Sequence, residues 1–220
     1  MADNLFNFKT NINFIKRILS AIIIIPLMIL PIIIGGYTLI IVYLLLLTLI
    51  VDELFNIIKN ISNKYYGYLY ICIIISSFFM FINILISSHV EKFFISIVFL
   101  IWAFDTFSYL GGSIIKGKKI FPKISKGKTY SGLFSGIIGV FFVNFIIMHY
   151  MNLTHPISYY TALLIASLSF MGDTIASLFK RYASIKDSGR IIPGHGGLLD
   201  RFDSFIFVFL FIGIFNSFFV

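Results

Sequence analysis

The chain has 220 residues, 59% of them hydrophobic and 12% charged, against about 45–50% and about 25% in soluble domains. That balance excludes a water-soluble globular fold, because a single core cannot hide so much apolar surface and lipid must cover the rest. The net charge of +8 falls in loops between apolar runs, which favours a membrane surface and anionic small molecules over nucleic acid.

Seven apolar segments follow in chain order, at about 18–34, 37–51, 66–87, 93–114, 130–151, 157–179 and 202–220. They predict an all-α, polytopic integral membrane protein with about seven transmembrane helices. Lys16 and Arg17 before the first segment imitate a secretory signal. The run carries Pro26 and Pro31 and lacks a small-residue cleavage site, so it reads as a retained span. Only Gly35-Gly36 separates the first two segments, which predicts a tight helical hairpin. Cys72, the single cysteine, lies in the third segment and excludes both an intramolecular disulfide and a multi-cysteine zinc site. Gly132 and Gly136 in the fifth form a small-xxx-small pair suited to close helix packing. Residues 1–92 are taken as N-terminal spans, and 93–220 as the membrane region with its polar loops and chemistry.

Basic residues set the expected orientation. With a cytoplasmic N-terminus, the inner side holds Lys9, Lys16, Arg17, Lys59, Lys64, Lys116, Lys118, Lys119, Lys123, Lys126 and Lys128. It also holds Lys180, Arg181, Lys186, Arg190 and Arg201, so that only Lys92 of the 17 basic residues lies outside. Loops 115–129 and 180–201 then face the cytoplasm, the compartment that contains nucleotides.

Acidic residues are scarcer still, and two of the nine, Asp105 and Asp173, fall inside or at the edge of apolar spans. A carboxylate at the centre of a membrane helix costs about 2.5–3.5 kcal/mol on insertion scales, and such residues mark interior sites. A helical sixth span places Asp173, Ser177 and Lys180 at i, i+4 and i+7, one polar stripe on an apolar helix. Beyond it come Lys186, Asp187 and Arg190, then Pro193-Gly194-His195-Gly196-Gly197, then Asp200, Arg201 and Asp203. Carboxylates without cysteine suit Mg²⁺ better than zinc. Lys and Arg neutralise phosphate oxygens, and glycines let backbone N–H groups approach an anion. A merely solvated loop would need the cations but not four aspartates and Gly-His-Gly-Gly. The stretch therefore reads as metal-assisted chemistry on a phosphate substrate.

The run from Ser177 to Asp203, S-L-F-K-R-Y-A-S-I-K-D-S-G-R-I-I-P-G-H-G-G-L-L-D-R-F-D, resembles the signature of the phosphatidate cytidylyltransferase (CDP-diacylglycerol synthase) family at every fixed position. Asp105-Thr106-Phe107-Ser108-Tyr109-Leu110-Gly111-Gly112 is similar to a second family segment, with Ser108 in place of the usual Ala. Ser125-Lys126-Gly127-Lys128-Thr129-Tyr130-Ser131-Gly132 is similar to a third, with Lys126 where Pro is usual and Ser131 where Glu is usual. The resemblance covers about 95–220.

It implies transfer of a cytidylyl group from CTP to phosphatidic acid, in phospholipid biosynthesis, with Mg²⁺ held in one or two sites by Asp173 and Asp200 and with Asp187 and Asp203 as further ligands. Lys180, Arg181, Lys186 and Arg201 would hold phosphates. His195, Gly196 and Gly197 would turn around the triphosphate, with His195 as general base chemically open but not required. Asp105, Lys128, Thr129 and Ser177 would complete the substrate site. The resemblance also implies a homodimer, and the lack of an organelle-targeting segment points to a bacterial inner membrane with the site facing the cytoplasm. Two other readings compete: a related CTP-using enzyme such as a polyprenol kinase, and a transporter with Asp105 and Asp173 as intramembrane ion sites. Charge concentrated at one membrane face opposes the transporter.

Overall fold

Apolar runs become helices because lipid leaves the backbone no partner but itself. The computed structural model describes residues 22–61, 63–88, 91–125, 127–151, 157–189 and 196–215. They form seven helices: α1 (Ile22–Ile34), α2 (Gly36–Ile58), α3 (Tyr65–Ser88), α4 (Glu91–Ile114), α5 (Tyr130–Tyr150), α6 (Tyr159–Tyr182) and α7 (Leu199–Ile214). Five of these, α2 to α6, are long and apolar enough to cross a membrane. The expectation of seven full spans is thus met by five. Within the described residues α1 is shorter, and α7 has 16 residues.

Local chemistry sets the helix ends. Gly35 and Gly36 take φ values of 68° and 55°, the left-handed region that glycine enters at little cost, and so turn α1 into α2. Tyr43 of α2 donates from its hydroxyl to the Met28 carbonyl of α1 at 2.8 Å, which closes the hairpin. Thr129 and Ser158 cap α5 and α6, accepting from Gly132 N and Thr161 N, each at 3.1 Å. Unlike the predicted segment ending at 51, α2 runs on to Ile58, because Leu54, Ile57 and Ile58 continue its buried face past Asp52 and Glu53.

Helix α6 lies between two groups of helices. On one side it packs along α7, which in turn packs along α3, and α3 along α2. On the other it meets the closely packed pair α4 and α5. Inside a membrane, dispersion contacts, small residues and hydrogen bonds drive this association rather than escape from water. A stacked Phe81–Phe209 pair at 4.0 Å between centroids joins α3 to α7, supported by Phe78–Phe202 at 5.9 Å. Ser77 donates to the Ile206 carbonyl at 2.8 Å. At Gly172 the α6–α7 approach is so close that a Cβ would lie 2.5 Å from the Asp203 carbonyl oxygen. Gly132 and Gly136 of α5 face Ser108 and Phe104 of α4 in the same way. The outward face of α5 carries Phe134, Ile138, Phe142 and Phe145, a lipid-facing surface.

Candidate active site

The polar residues that the helices cannot bury singly are gathered at one end of α4, α6 and α7. The loop after α4 returns as a short antiparallel ribbon, with Ile120 N donating to Lys128 O at 2.9 Å and Tyr130 N to Lys118 O at 3.1 Å. That register carries Lys128 back over α6. A cavity of about 400 Å³ results, lined on one side by Asp105, Ser108, Lys128 and Thr129, and on the other by Asp173, Lys180, Asp187, Asp200, Arg201 and Asp203.

Asp200 is the most firmly held member. Its Oδ1 accepts from Lys180 Nζ at 2.5 Å, and both side chains are about nine-tenths buried. Its Oδ2 accepts from Ser188 N at 3.0 Å and Gly197 N at 3.1 Å. Gly196 turns into this arrangement at φ 86°, and a Cβ there would stand 2.7 Å from Asp200 Oδ2. The loop glycines thus bring backbone N–H groups onto a carboxylate of the chain itself, rather than leaving them open.

Asp173 is more open, with 40% of its side chain exposed. It pairs with Lys128 Nζ at 3.1 Å and accepts from Ser177 Oγ at 3.3 Å. Lys128 also donates to Thr174 Oγ1 at 2.7 Å and lies 5.1 Å from the Phe170 ring centroid. Burial pushes the Lys128 pKa below the ordinary lysine value of 10.5, opposed by the Asp173 charge. Asp203 is buried and accepts Ser204 N at 2.8 Å, while Ser204 Oγ reaches Asp105 Oδ1 at 3.5 Å across to α4.

Other expected residues stand differently. The Arg181 guanidinium lies outside the cavity, donating to Ile124 O at 3.0 Å and Ile185 O at 2.7 Å, so it ties the ribbon loop to the end of α6. Lys186 is exposed and does not line the cavity, and Ser177 acts through Asp173. Gly196 and Gly197 act through Asp200. His195, Arg190, Pro193 and Lys126 lie outside the described residues. Ser131, at a position where Glu is usual, donates to the Lys116 carbonyl and steadies the end of α4.

Sequence reasoning missed Glu53. It is 5% exposed, sits on α2, and accepts from Leu198 N at 2.8 Å, Leu199 N at 3.0 Å and Ser188 Oγ at 3.2 Å. The signal was present, since Leu54, Phe55, Ile57 and Ile58 continue the apolar run beyond it. By the criterion applied to Asp105 and Asp173, it is an acid within an apolar helix.

Comparison with known proteins follows the same residues. Residues 66–219 match the cytidylyltransferase family. A phosphatidate cytidylyltransferase of Rickettsia conorii is 35% identical over 214 residues, spanning 93% of this chain and 91% of that protein. One of Rickettsia felis is 34% identical over 208 residues, spanning 90% of each. One of Staphylococcus epidermidis is 41% identical over 111 residues, half of this chain and 43% of that protein. The likeness therefore reaches well N-terminal of the expected 95–220.

Proposed function

The chain belongs to the cytidylyltransferase family, and we infer that it is the nucleotidyltransferase that joins CTP and phosphatidic acid into CDP-diacylglycerol and pyrophosphate. One observation carries the reading at the level of the site. Lys180, Asp187, Asp200, Arg201 and Asp203 of the signature meet Asp105, Lys128 and Thr129 of the two weaker segments in one cavity.

Both substrates are anions. A phosphate monoester has a second pKa of about 6 and is mostly dianionic near neutral pH, so the lipid phosphate is itself the nucleophile. One of its oxygens bonds to the α-phosphorus of CTP, the bond from that phosphorus to the bridging oxygen breaks, and pyrophosphate leaves with the electron pair. No protein nucleophile is needed. The work of the site is to offset repulsion between the anions and to hold them in line. Lys128 and Lys180 supply fixed positive charge from opposite walls, and Arg201 adds a third cation at the rim. Asp200, held by Lys180 and two backbone N–H groups, keeps the Lys180 ammonium directed into the cavity. Thr129, bound at the head of α5, fixes the backbone that carries Lys128.

We propose Mg²⁺ as cofactor, in one or two sites. The acidic lining offers hard oxygen donors that suit such an ion. Among the described residues no three His, Cys, Asp or Glu side chains converge closely enough to enclose an ion alone. Mg²⁺ commonly takes one or two carboxylates and completes its shell with water and substrate phosphates. Asp173 and Asp200 would hold it, with Asp187 and Asp203 beside them, and it would neutralise phosphate charge. The positive-inside distribution supports placing this end of the bundle at the cytoplasmic face, in seven spans with the N-terminus inside, of a bacterial inner membrane. A homodimer rests on the family resemblance.

The test is transfer of label from CTP into lipid by detergent-purified protein given phosphatidic acid and Mg²⁺, with and without EDTA. Expected is an EDTA-sensitive CDP-lipid that Asp200→Asn does not make. No CDP-lipid from folded protein, or transfer of the CTP γ-phosphate to an added polyprenol in its place, would overturn the assignment.

A further inference from the structure

Helix α7 begins without a cap of its own. Its N-cap residue is Leu198, which has no side chain able to accept the first free N–H groups. Those groups belong to buried residues, where an unpaired donor is costly. The acceptor comes instead from α2. Glu53 Oε1 takes Leu198 N, and Oε2 takes Leu199 N together with Ser188 Oγ. Its negative charge also lies where the helix dipole favours an anion. The same carboxylate sets the spacing of the loop against it. A Cβ on Gly189 would stand 2.6 Å from Glu53 Oε1, and its three nearest atoms all belong to Glu53. A Cβ on Gly197 would stand 2.5 Å from Oε2. Ser188 and Gly197 are the two residues whose backbone N–H groups hold Asp200 Oδ2.

We propose that Glu53 is a positioning residue for this reaction: a carboxylate on α2, outside residues 66–219, that seats the α6–α7 loop and the first turn of α7 so that Asp200 faces the cavity. It touches neither substrate. It acts through Ser188, Gly197 and Leu199 on Asp200, and this role rests on the functional reading above. It also explains why Gly189 of the signature is small, since the space its Cβ would fill is taken by the Glu53 carboxylate, while at Gly197 that space is shared by Glu53, the Ser188 hydroxyl and the Gly189 backbone.

The test is a double-mutant cycle of Glu53→Ala and Gly189→Ala, with Glu53→Gln as an isosteric variant. It is read on kcat, on KM for CTP and on the Tm of the detergent-solubilised full chain. Glu53→Gln can no longer accept at both ends and should lose about 10- to 100-fold in kcat/KM, the usual cost of losing an outer-shell partner, with KM for CTP raised several-fold. Gly189→Ala should be similarly damaging alone. In the Glu53→Ala background it should cost little more, because the clashing atoms are gone. Effects of Glu53→Ala and Gly189→Ala that multiply would overturn the proposal. So would a Glu53→Gln enzyme with unchanged KM and only a smaller active fraction, the mark of a purely structural residue. Because Tm needs no turnover, the coupling is read even without product. If the wild-type chain made no CDP-lipid, the substrate assignment would fail, while additive Tm losses would separately sink the Glu53 contact.

Discussion

The two walls of the cavity hold their charged groups by different means. On the α6–α7 wall, Asp200 is engaged at both oxygens by a buried ammonium and two backbone N–H groups, and one of the two donor residues, Ser188, is tied in turn to Glu53 through its hydroxyl. On the α4–α5 wall, Asp105 among the described residues meets the 3.5 Å contact from Ser204, and Lys128 leans on Thr174, Asp173 and Phe170, all three on α6. One wall is set by its own backbone, whereas the other borrows its geometry from its neighbour across the gap. Preorganisation therefore resides mainly in α6, α7 and the loop residues Ser188 and Gly197.

The comparison is broken most severely at Lys180. Lys180→Met leaves the Asp200 carboxylate buried without its cation, which costs about 3–5 kcal/mol when one partner of a buried pair is removed. The expected result is a large fall in Tm together with loss of transfer. A Tm close to wild type would mean that Asp200 is not confined as described. Next comes Gly172→Ala, which pushes a methyl against the Asp203 carbonyl and forces α6 from α7. Overpacking of this kind costs about 1–3 kcal/mol, and both stability and turnover should fall, since the same contact positions Asp203.

On the borrowed wall the effects should separate. Lys128→Met removes a cation whose partner Asp173 is two-fifths exposed, so stability should change by less than about 1 kcal/mol. Activity should nevertheless fall strongly, mostly as a raised KM for CTP or phosphatidic acid. A Tm loss as large as that of Lys180→Met would erase the distinction between the walls.

Lys128 also gives the pH test. Its pKa is depressed in the fold, so between that value and 10.5 the unfolded chain binds more protons, and stability attributable to Lys128 rises with pH through that window. Activity should move the other way, falling as the ammonium deprotonates before an ordinary lysine would. Lys128→Arg keeps its charge and should extend the alkaline limb of the kcat/KM profile, whereas an unchanged limb would remove Lys128 from substrate binding. The smallest effect on turnover belongs to Thr129→Ala, which loses the α5 cap for about 1 kcal/mol. It should lower Tm, and raise KM less than Lys128→Met does, because the Lys128 ammonium is kept.

Legibility differed between regions for a physical reason. A membrane helix must be apolar, so any acid or base within one stands out, and Asp105, Asp173 and Lys180 were recognisable from composition alone. The signature spacing did the same for Asp187, Asp200, Arg201 and Asp203, and all of these line the cavity. Arg181 and Ser177 belong to the same motif, yet one binds backbone carbonyls and the other a neighbouring aspartate. A motif records which residues occur together, not which of them point into a site. Glu53 was passed over because the segment was closed at 51, one residue before an acidic pair that resembles a helix end.

By itself the amino-acid sequence determined the membrane class, the helical content and the chemical character of the site, since each depends on hydropathy, period and residue type along a continuous stretch, whereas its seven apolar segments exceed the five helices long enough to span. Tertiary structure alone decided that α2 caps α7, that Lys128 pairs with Asp173 and that the loop glycines close upon Asp200 and Glu53. Those facts depend on contacts between residues as far apart as Glu53 and Leu199, which no local pattern encodes. In a bundle whose surfaces are almost uniformly apolar, it is the few buried polar pairs that choose among otherwise similar packings, and their partners appear only once the helices have met.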